Sequence, residues 1–196
     1  LLEIAYKILA KLYAYQLKPF IPAIVGESQF GFVPERQMSI LSHTIVKLID
    51  EINRQDVRGQ ICLLDIKSAF DTANPDSINF IMKHLFPNSD LPNKIHALTG
   101  KGHATLSIGG IRGEEIELSA GCGQGCPLSA FRYATLHAYF IGALNILMKR
   151  REEGVLEPPI MTINDYTGNN FAIDSQCFAD DTVVCTNFKN DSQIKY

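Results

Sequence analysis

Cys177-Phe178-Ala179-Asp180-Asp181-Thr182-Val183-Val184-Cys185 sets two adjacent carboxylates in an apolar run that otherwise reads as strand. Burying one carboxylate is costly, and two touching ones repel each other. A chain that tolerates such a pair turns it outward at a tight hairpin and neutralises it with cations. Hard divalent ions such as Mg²⁺ take oxygen ligands. The stretch therefore points to metal-assisted chemistry, with phosphoryl or nucleotidyl transfer the best fit. An isolated Asp-Asp is more often a solvated turn, but strand-like flanks on both sides favour a hairpin tip here.

A second acidic strand end lies upstream, in Leu63-Leu64-Asp65-Ile66-Lys67-Ser68-Ala69-Phe70-Asp71. Gln60 to Ile66 reads as a buried strand, and Asp65 stands near its end. Alone, Asp65 reads more simply as a turn or N-cap aspartate. Together with Asp180 and Asp181 it completes three carboxylates that one pocket could gather around two Mg²⁺ ions.

Two further segments carry polar groups in suggestive places. Ala120-Gly121-Cys122-Gly123-Gln124-Gly125-Cys126-Pro127-Leu128-Ser129 is glycine-rich and precedes a helix. Glycines allow close backbone approach to a ligand, and a helix N-terminus favours an anion. Gln124 offers a donor and an acceptor, and Gly125 leaves room for a base or sugar. An ordinary loop before a helix explains the same residues. Gln29-Phe30-Gly31-Phe32-Val33-Pro34-Glu35-Arg36-Gln37 ends beside a helix start, where Arg36 could grip phosphate. By itself a surface arginine is the simpler reading.

Between these segments the periodicity is that of a mixed chain. A helix is expected from Glu3 to Lys18, ended by Pro19 and Pro22, and a second from Ser39 to Arg54. A helix from Pro75 to Leu85 follows the first acidic strand. Ala104–Ile108 and Glu114–Leu118 alternate around Gly109-Gly110 as a hairpin. Pro127 opens a helix to about Lys149 that buries Leu128, Leu136, Phe140, Leu144 and Leu147. Residues 150–174 read as an excursion with one short strand at Ile160–Ile163. Strands separated by helices, with a hairpin at the end, indicate an α+β or mixed α/β organisation.

The 196 residues, 46% hydrophobic and 20% charged, suffice for one large domain or two small lobes. No apolar run reaches about 18 residues, so no spanning helix is expected. The net charge of −3 counts weakly against a nucleic-acid binder. The five cysteines do not suggest a disulfide framework, and Cys122 and Cys126 lack the partners of a zinc set. Buried free thiols in a reducing compartment are expected. The chain opens Leu1-Leu2-Glu3 without a signal-peptide pattern and reads as an excerpt of a longer polypeptide.

In order along the chain, the four segments resemble a reverse transcriptase, and best that of the non-LTR (LINE-type) retrotransposons. Gln-Phe-Gly-Phe-Val-Pro-Glu-Arg resembles the fingers motif, Leu-Asp-Ile-Lys-Ser-Ala-Phe-Asp the first palm motif, Gly-Cys-Gly-Gln-Gly-Cys-Pro-Leu-Ser the next, and Phe-Ala-Asp-Asp the catalytic hairpin. Tyr6 to Pro19 also looks like the stretch preceding the fingers motif. The family often has Gly where Glu35 stands, Arg where Gly123 stands and Pro where Ala130 stands.

The resemblance implies an α+β right-hand polymerase palm, an antiparallel sheet backed by helices, with fingers elements and without the thumb. Residues 1–59 would be fingers-side and 60–196 palm, with about 86–120 a fingers/palm hairpin. It implies an RNA-directed DNA polymerase that adds dNTPs to a primer 3′-hydroxyl on an RNA template, in retrotransposition. Two Mg²⁺ ions, or Mn²⁺, would be held by Asp65, Asp180, Asp181 and the backbone carbonyl of Ile66. Phe70 would lie under the incoming sugar, Ala69 would join it in binding the nucleotide, and Gln124 and Gly125 would line the nucleotide and template pocket. Arg36 and Lys67 would approach phosphate, and Asp71 would make a structural hydrogen bond. The protein would work inside the cell, in nucleus and cytoplasm, without a membrane. A group II intron-type or other cellular reverse transcriptase and a decayed, inactive element that at most binds nucleic acid share these motifs; a binding module with chance motifs is the remaining alternative.

Overall fold

The computed structural model describes residues 3–55, 58–155, 161–164, 170–173 and 175–188. In chain order the elements are α1 (Ile4–Leu17), a 3₁₀ turn (Lys18–Phe20), α2 (Ile21–Val25), α3 (Met38–Gln55), β1 (Arg58–Leu64), α4 (Ala69–Thr72), α5 (Pro75–Leu85), α6 (Leu91–Thr99), β2 (Gly102–Ile108), β3 (Ile111–Leu118), α7 (Ser129–Val155), β4 (Met161–Asn164), β5 (Asn170–Ile173), β6 (Ser175–Phe178) and β7 (Asp181–Phe188). The chain forms two compact units: a first of Leu1–Ile24 with Lys67–Leu136, and a second of Val25–Ile66 with His137–Tyr196. Each unit draws residues from both sides of the 59/60 boundary expected from the sequence.

The second unit is built on a three-stranded antiparallel sheet in the order β1-β7-β6. β1 pairs with β7 from Arg58↔Phe188 to Leu64↔Thr182, and β6 pairs with β7 from Ser175↔Val184 to Phe178↔Asp181. Ala179 and Asp180 are thus the two central residues of the β6–β7 turn. Helix α3 backs this sheet: Leu48 and Val183 are buried together, with Ile45, Ile52 and Ile61 packed against them. Burying each such side chain contributes about 1.5–3 kcal/mol. β4 and β5 form a separate antiparallel pair, Met161↔Ile173 to Asn164↔Asn170. One short strand was expected there, from Ile160; it runs instead over Met161–Asn164 and finds a partner in β5, while Ile160 lies outside the described residues.

β1 corrects the expectation of a buried strand ending at Ile66. It ends at Leu64, and Cys62, Leu63 and Leu64 are exposed. The cause is position. Among the described residues β1 is the outer strand of the sheet, so its apolar run is not covered on all sides. Cys62 is accordingly an exposed thiol, whereas Cys122, Cys126 and Cys177 are buried free thiols as expected.

In the first unit, α1 ends at Leu17, just ahead of Pro19, as expected, but two further short helical segments follow it. Pro19 falls in the first turn of the Lys18–Phe20 segment, where its missing N–H costs no hydrogen bond, and α2 then follows. α5 starts at Pro75 because Asn74 caps it: its side chain accepts from the backbone N–H groups of Asp76 (2.8 Å) and Ser77 (3.0 Å). α6, which periodicity left unmarked, carries Ile95 into the core. Phe20 and Phe86 meet edge to face at 5.6 Å. The β2–β3 hairpin forms at Gly109-Gly110, both with positive φ, as a tight primed turn demands.

α7 begins at Ser129, two residues after Pro127. Its opening is buried almost all round, with Phe131, Arg132, Tyr133, Ala134, Thr135 and His137 all enclosed. Leu128 is buried, just ahead of the helix, and Leu136 and Leu144 are half-buried. Phe140 is 47% exposed, contrary to the expected leucine-lined face. Ser129, Thr135 and His137 are buried on α7 with their side chains hydrogen-bonded, so apolar spacing alone misplaced its inner face. The side chain of Leu147 lies outside the described residues. Among the described residues no helix is long and apolar enough to cross a membrane.

Candidate functional site

In the second unit the fold brings the acidic segments to one end of the β1–β7 ladder. Leu64 pairs with Thr182, so the next residue, Asp65, follows where β7 begins at Asp181. Asp65 and Asp181 are exposed and Asp180 is half-buried. No Lys or Arg among the described residues forms an ion pair with any of the three. Also among the described residues, no three His, Cys, Asp or Glu side chains converge into a group that would by itself hold a metal ion.

The donor set nonetheless fits Mg²⁺. That ion takes one or two carboxylates, keeps several waters and completes its shell with substrate phosphates, so it needs no all-protein cage. Oxygen donors at an exposed strand end, unneutralised by any described lysine or arginine, are what such a site requires.

The turn that carries Asp180 is held by a glutamine, Gln29, to which its motif alone assigns no role. Residues 28–30 lie parallel to β6, with a bridge between Gln29 and Cys177. Phe30 N–H donates to Cys177 O at 2.8 Å, and Cys177 N–H donates to Ser28 O at 2.7 Å. Gln29, 2% exposed, is thereby aimed at the turn. Its Oε1 accepts from the backbone N–H of Gly31 (2.8 Å) and of Ala179 (3.0 Å). Its Nε2 donates to Ala179 O (3.0 Å) and to His137 Nδ1 (3.2 Å). Because Nδ1 accepts, the ring proton sits on Nε2, which donates to Thr182 Oγ1 at 3.1 Å. Thr182 Oγ1 in turn donates to Asp180 O at 3.4 Å. Burial pushes the His137 pKa below its ordinary value, and the charge of Asp180 partly opposes this.

Two backbone features show how tightly this corner is drawn. Ala179 has φ +58, a left-handed conformation that costs a non-glycine residue about 1–2 kcal/mol. A Cβ on Gly31 would lie 2.2 Å from Ala179 N, closer than real atoms approach. The signal for this cluster was present in Gln29-Phe30-Gly31 and in a lone histidine on α7, but neither spacing nor periodicity links residues about 110 and 150 positions apart.

Arg36 belongs to the same unit. Its Nη1 donates to the carbonyls of Gly26 and Gln29 (2.6 Å to the latter), so it staples the loop that carries Gln29. Glu35 has φ +67. The left-handed backbone accounts for glycine at this place in the sequences that the motif resembles. Ile66, the last residue before the first unit resumes, is half-buried.

The first unit holds the other candidates. Phe70 stacks on Tyr133 with ring centroids 4.6 Å apart and planes 23° apart. The glycine-rich loop is stitched to α4: Gly121 N–H donates to Ala73 O (2.8 Å) and Cys122 N–H to Phe70 O (2.7 Å). Gly121 needs its φ of +105, and a Cβ there would press on Asp71 O at 3.2 Å. Beyond these anchors Gly123, Gln124 and Gly125 are exposed. Ser129 Oγ donates to Gly123 O at 2.7 Å and ties the loop to the start of α7. Tyr6 donates to Cys126 Sγ at 3.0 Å, and burial raises both its phenol pKa and the Cys122 thiol pKa. Ala69 is buried and Lys67 exposed. Asp71 departs from expectation. Its side chain is exposed and makes no hydrogen bond among the described residues, while its backbone N–H donates to Ser68 O.

Over residues 1–196 the sequence matches the family described as reverse transcriptase (RNA-dependent DNA polymerase). The fold is similar to that of an apo telomerase from Candida tropicalis truncated from its C-terminal domain, with a TM-score of 0.53 and 11% identity over 94% of this chain and 34% of that one. A telomerase from Candida albicans in complex with a TWJ fragment of telomeric RNA aligns with a TM-score of 0.46 and 10% identity, over 96% of this chain and 30% of that one. The chain thus spans about a third of the length of these two solved proteins.

Proposed function

Since the chain belongs to the reverse transcriptase (RNA-dependent DNA polymerase) family, we propose that its protein extends a DNA primer on an RNA template, in the manner of a non-LTR retrotransposon polymerase acting in nucleus and cytoplasm. The observation that carries this reading is the second unit's acidic corner. Asp65 and Asp180-Asp181 stand at one end of a single β-ladder, without a Lys or Arg partner among the described residues.

In the proposed reaction the primer's 3′-oxygen forms a bond to the α-phosphorus of a dNTP as the bond to pyrophosphate breaks. Asp65, Asp180 and the carbonyl of Ile66 would hold two Mg²⁺ ions, with Asp181 completing the acidic site; when bound, these ions supply the positive charge that activates the hydroxyl and stabilises the leaving oxygens. The chain's own part is positioning and electrostatics. Phe70 and Ala69 support the incoming sugar, where an aromatic ring excludes a 2′-hydroxyl. The stack on Tyr133 fixes that ring. Gln124 and Gly125, on the exposed part of their loop, line the nucleotide pocket. Lys67 approaches phosphate, and Arg36, anchored through Nη1, uses its remaining N–H groups for the same purpose.

The test is primer extension on an RNA template by the full-length protein with Mg²⁺ and dNTPs. Asp65→Asn and Asp180→Asn should each lower the rate by at least ~10³-fold while primer–template affinity stays near wild type. Normal extension by either variant would sink the reading.

A further inference from the structure

Gln29 uses every hydrogen-bonding position of its side chain. A carboxamide has two N–H donors and an oxygen with two lone pairs, and all four positions are engaged: Gly31 N and Ala179 N on Oε1, Ala179 O and His137 Nδ1 on Nε2. Two of the four bonds take both backbone groups of one residue, Ala179, which immediately precedes Asp180. In a two-residue turn those groups face away from the ladder and need partners from elsewhere. Ala179 is only 8% exposed, so water does not supply them freely.

We propose that Gln29 is a positioning residue: with His137 and Thr182 it clasps the β6–β7 turn and sets Asp180-Asp181 in its working direction before any ligand arrives. This rests on the reading of Asp180 and Asp181 as metal-holding carboxylates. The clasp closes from two sides. Gln29 grips Ala179, and His137 reaches through Thr182 Oγ1 to Asp180 O. Ala179 keeps its left-handed φ of +58 because these bonds over-determine it. Gly31 is the space into which the turn fits, since any side chain there would strike Ala179 N.

The chemistry selects glutamine. Glutamate would set an acceptor against Ala179 O and His137 Nδ1, and would add negative charge beside an already acidic turn. Asparagine is one methylene too short to keep all four partners from the same backbone position. Leucine would match the volume but leave four buried polar groups without this partner.

The test uses the full-length protein with Gln29→Leu and, as the milder cut, Thr182→Val. Leu41→Ala, which removes buried apolar volume from α3 in the same unit, is the control. The first readout is amide hydrogen exchange without ligand. Gln29→Leu should speed exchange at Ala179 by at least ~10-fold while the β1 amides of residues 60–63 change by less than about twofold. Thr182→Val should give a smaller rise in the same place. Unchanged protection at Ala179, or an equal rise at the turn and in β1, would overturn the proposal; if Gln29→Leu does not fold, Thr182→Val decides by the same criterion.

The second readout is single-turnover dNTP addition across a Mg²⁺ titration at saturating dNTP. Gln29→Leu should lower the maximal rate by at least ~10-fold and raise the Mg²⁺ concentration for half-maximal rate by ~3-fold or more, with primer–template affinity kept within about twofold. Leu41→Ala should shift neither quantity once the folded fraction is accounted for. An unchanged Mg²⁺ half-saturation in Gln29→Leu would overturn the role. Should the wild-type protein add no dNTP at all, the polymerase reading fails on its own, and the exchange result alone decides whether Gln29 sets the turn.

Discussion

The acidic turn of the second unit and the glycine-rich loop of the first are both short, both irregular and both assigned to the same reaction, yet they are held in opposite ways. The turn is locked by side chains. Gln29 and Thr182 bond to it, His137 braces both of them, and Gly31 leaves it no slack. The loop is pinned at its ends, through the backbone at Gly121 and Cys122 and through Ser129 Oγ, while Gly123, Gln124 and Gly125 stay exposed. Carboxylates that must share cations gain from a fixed direction. A surface that must accept different bases gains from compliance. The difference suits the proposed roles, an electrostatic centre for the turn and an adaptable nucleotide contact for the loop.

The glycines offer the sharpest way to break this contrast. Gly31→Ala forces a Cβ against the backbone at 2.2 Å and should destabilise the protein by about 1–3 kcal/mol in chemical denaturation. Gly125→Ala meets nothing within 4 Å and strains only its φ of +81, so it should cost about 1 kcal/mol. An equal cost at both sites would mean that the turn is no tighter than the loop.

A pH series probes the turn from its buried imidazole. Burial depresses the folded-state pKa of His137 below its ordinary 6.5, with Asp180 facing it and working the other way. Above that value the ring is neutral in both states and its contribution is fully present. As pH falls through it the unfolded chain takes up the proton first, so stability declines with falling pH. Protonation would also put an N–H at Nδ1 against the Nε2 of Gln29. Thermal unfolding from pH 8 to 5 should show a steeper loss of Tm for wild type than for His137→Gln. Parallel slopes would remove His137 from the clasp.

The smallest expected effect is a gain. Glu35 holds a left-handed φ of +67, and Glu35→Gly should stabilise the protein by about 0.5–1 kcal/mol, the strain relieved less the entropy glycine adds to the unfolded chain. A loss of stability would show that the Glu35 side chain does something the backbone does not reveal.

Much of this was legible in the residues. Asp180-Asp181 between strand-like flanks marked the β6–β7 hairpin, Gly109-Gly110 marked β2–β3, and Asn74-Pro75 marked the start of α5. These are local signals, in which neighbouring residues dictate φ or cap a helix. What escaped depended on distant partners. The exposure of β1 follows from its place at the sheet edge. The inner face of α7 includes Arg132, Thr135 and His137, and the partners of His137, Gln29 and Thr182, come from other segments. Gln29 was visible in the fingers-like motif, but its use becomes apparent only when Ala179, 150 residues later, is folded beside it.

One comparison of rates tests the division of labour most directly. Addition of dNTP and of the matching NTP is measured side by side, at saturating nucleotide, for wild type, Asp180→Asn and Phe70→Ala. Asp180→Asn should lower both rates by at least ~10³-fold in equal proportion. Phe70→Ala should keep dNTP addition within about tenfold of wild type and raise the relative use of NTP by ~10-fold or more. Unchanged dNTP/NTP selectivity in Phe70→Ala, or substantial addition by Asp180→Asn, would contradict that division of labour.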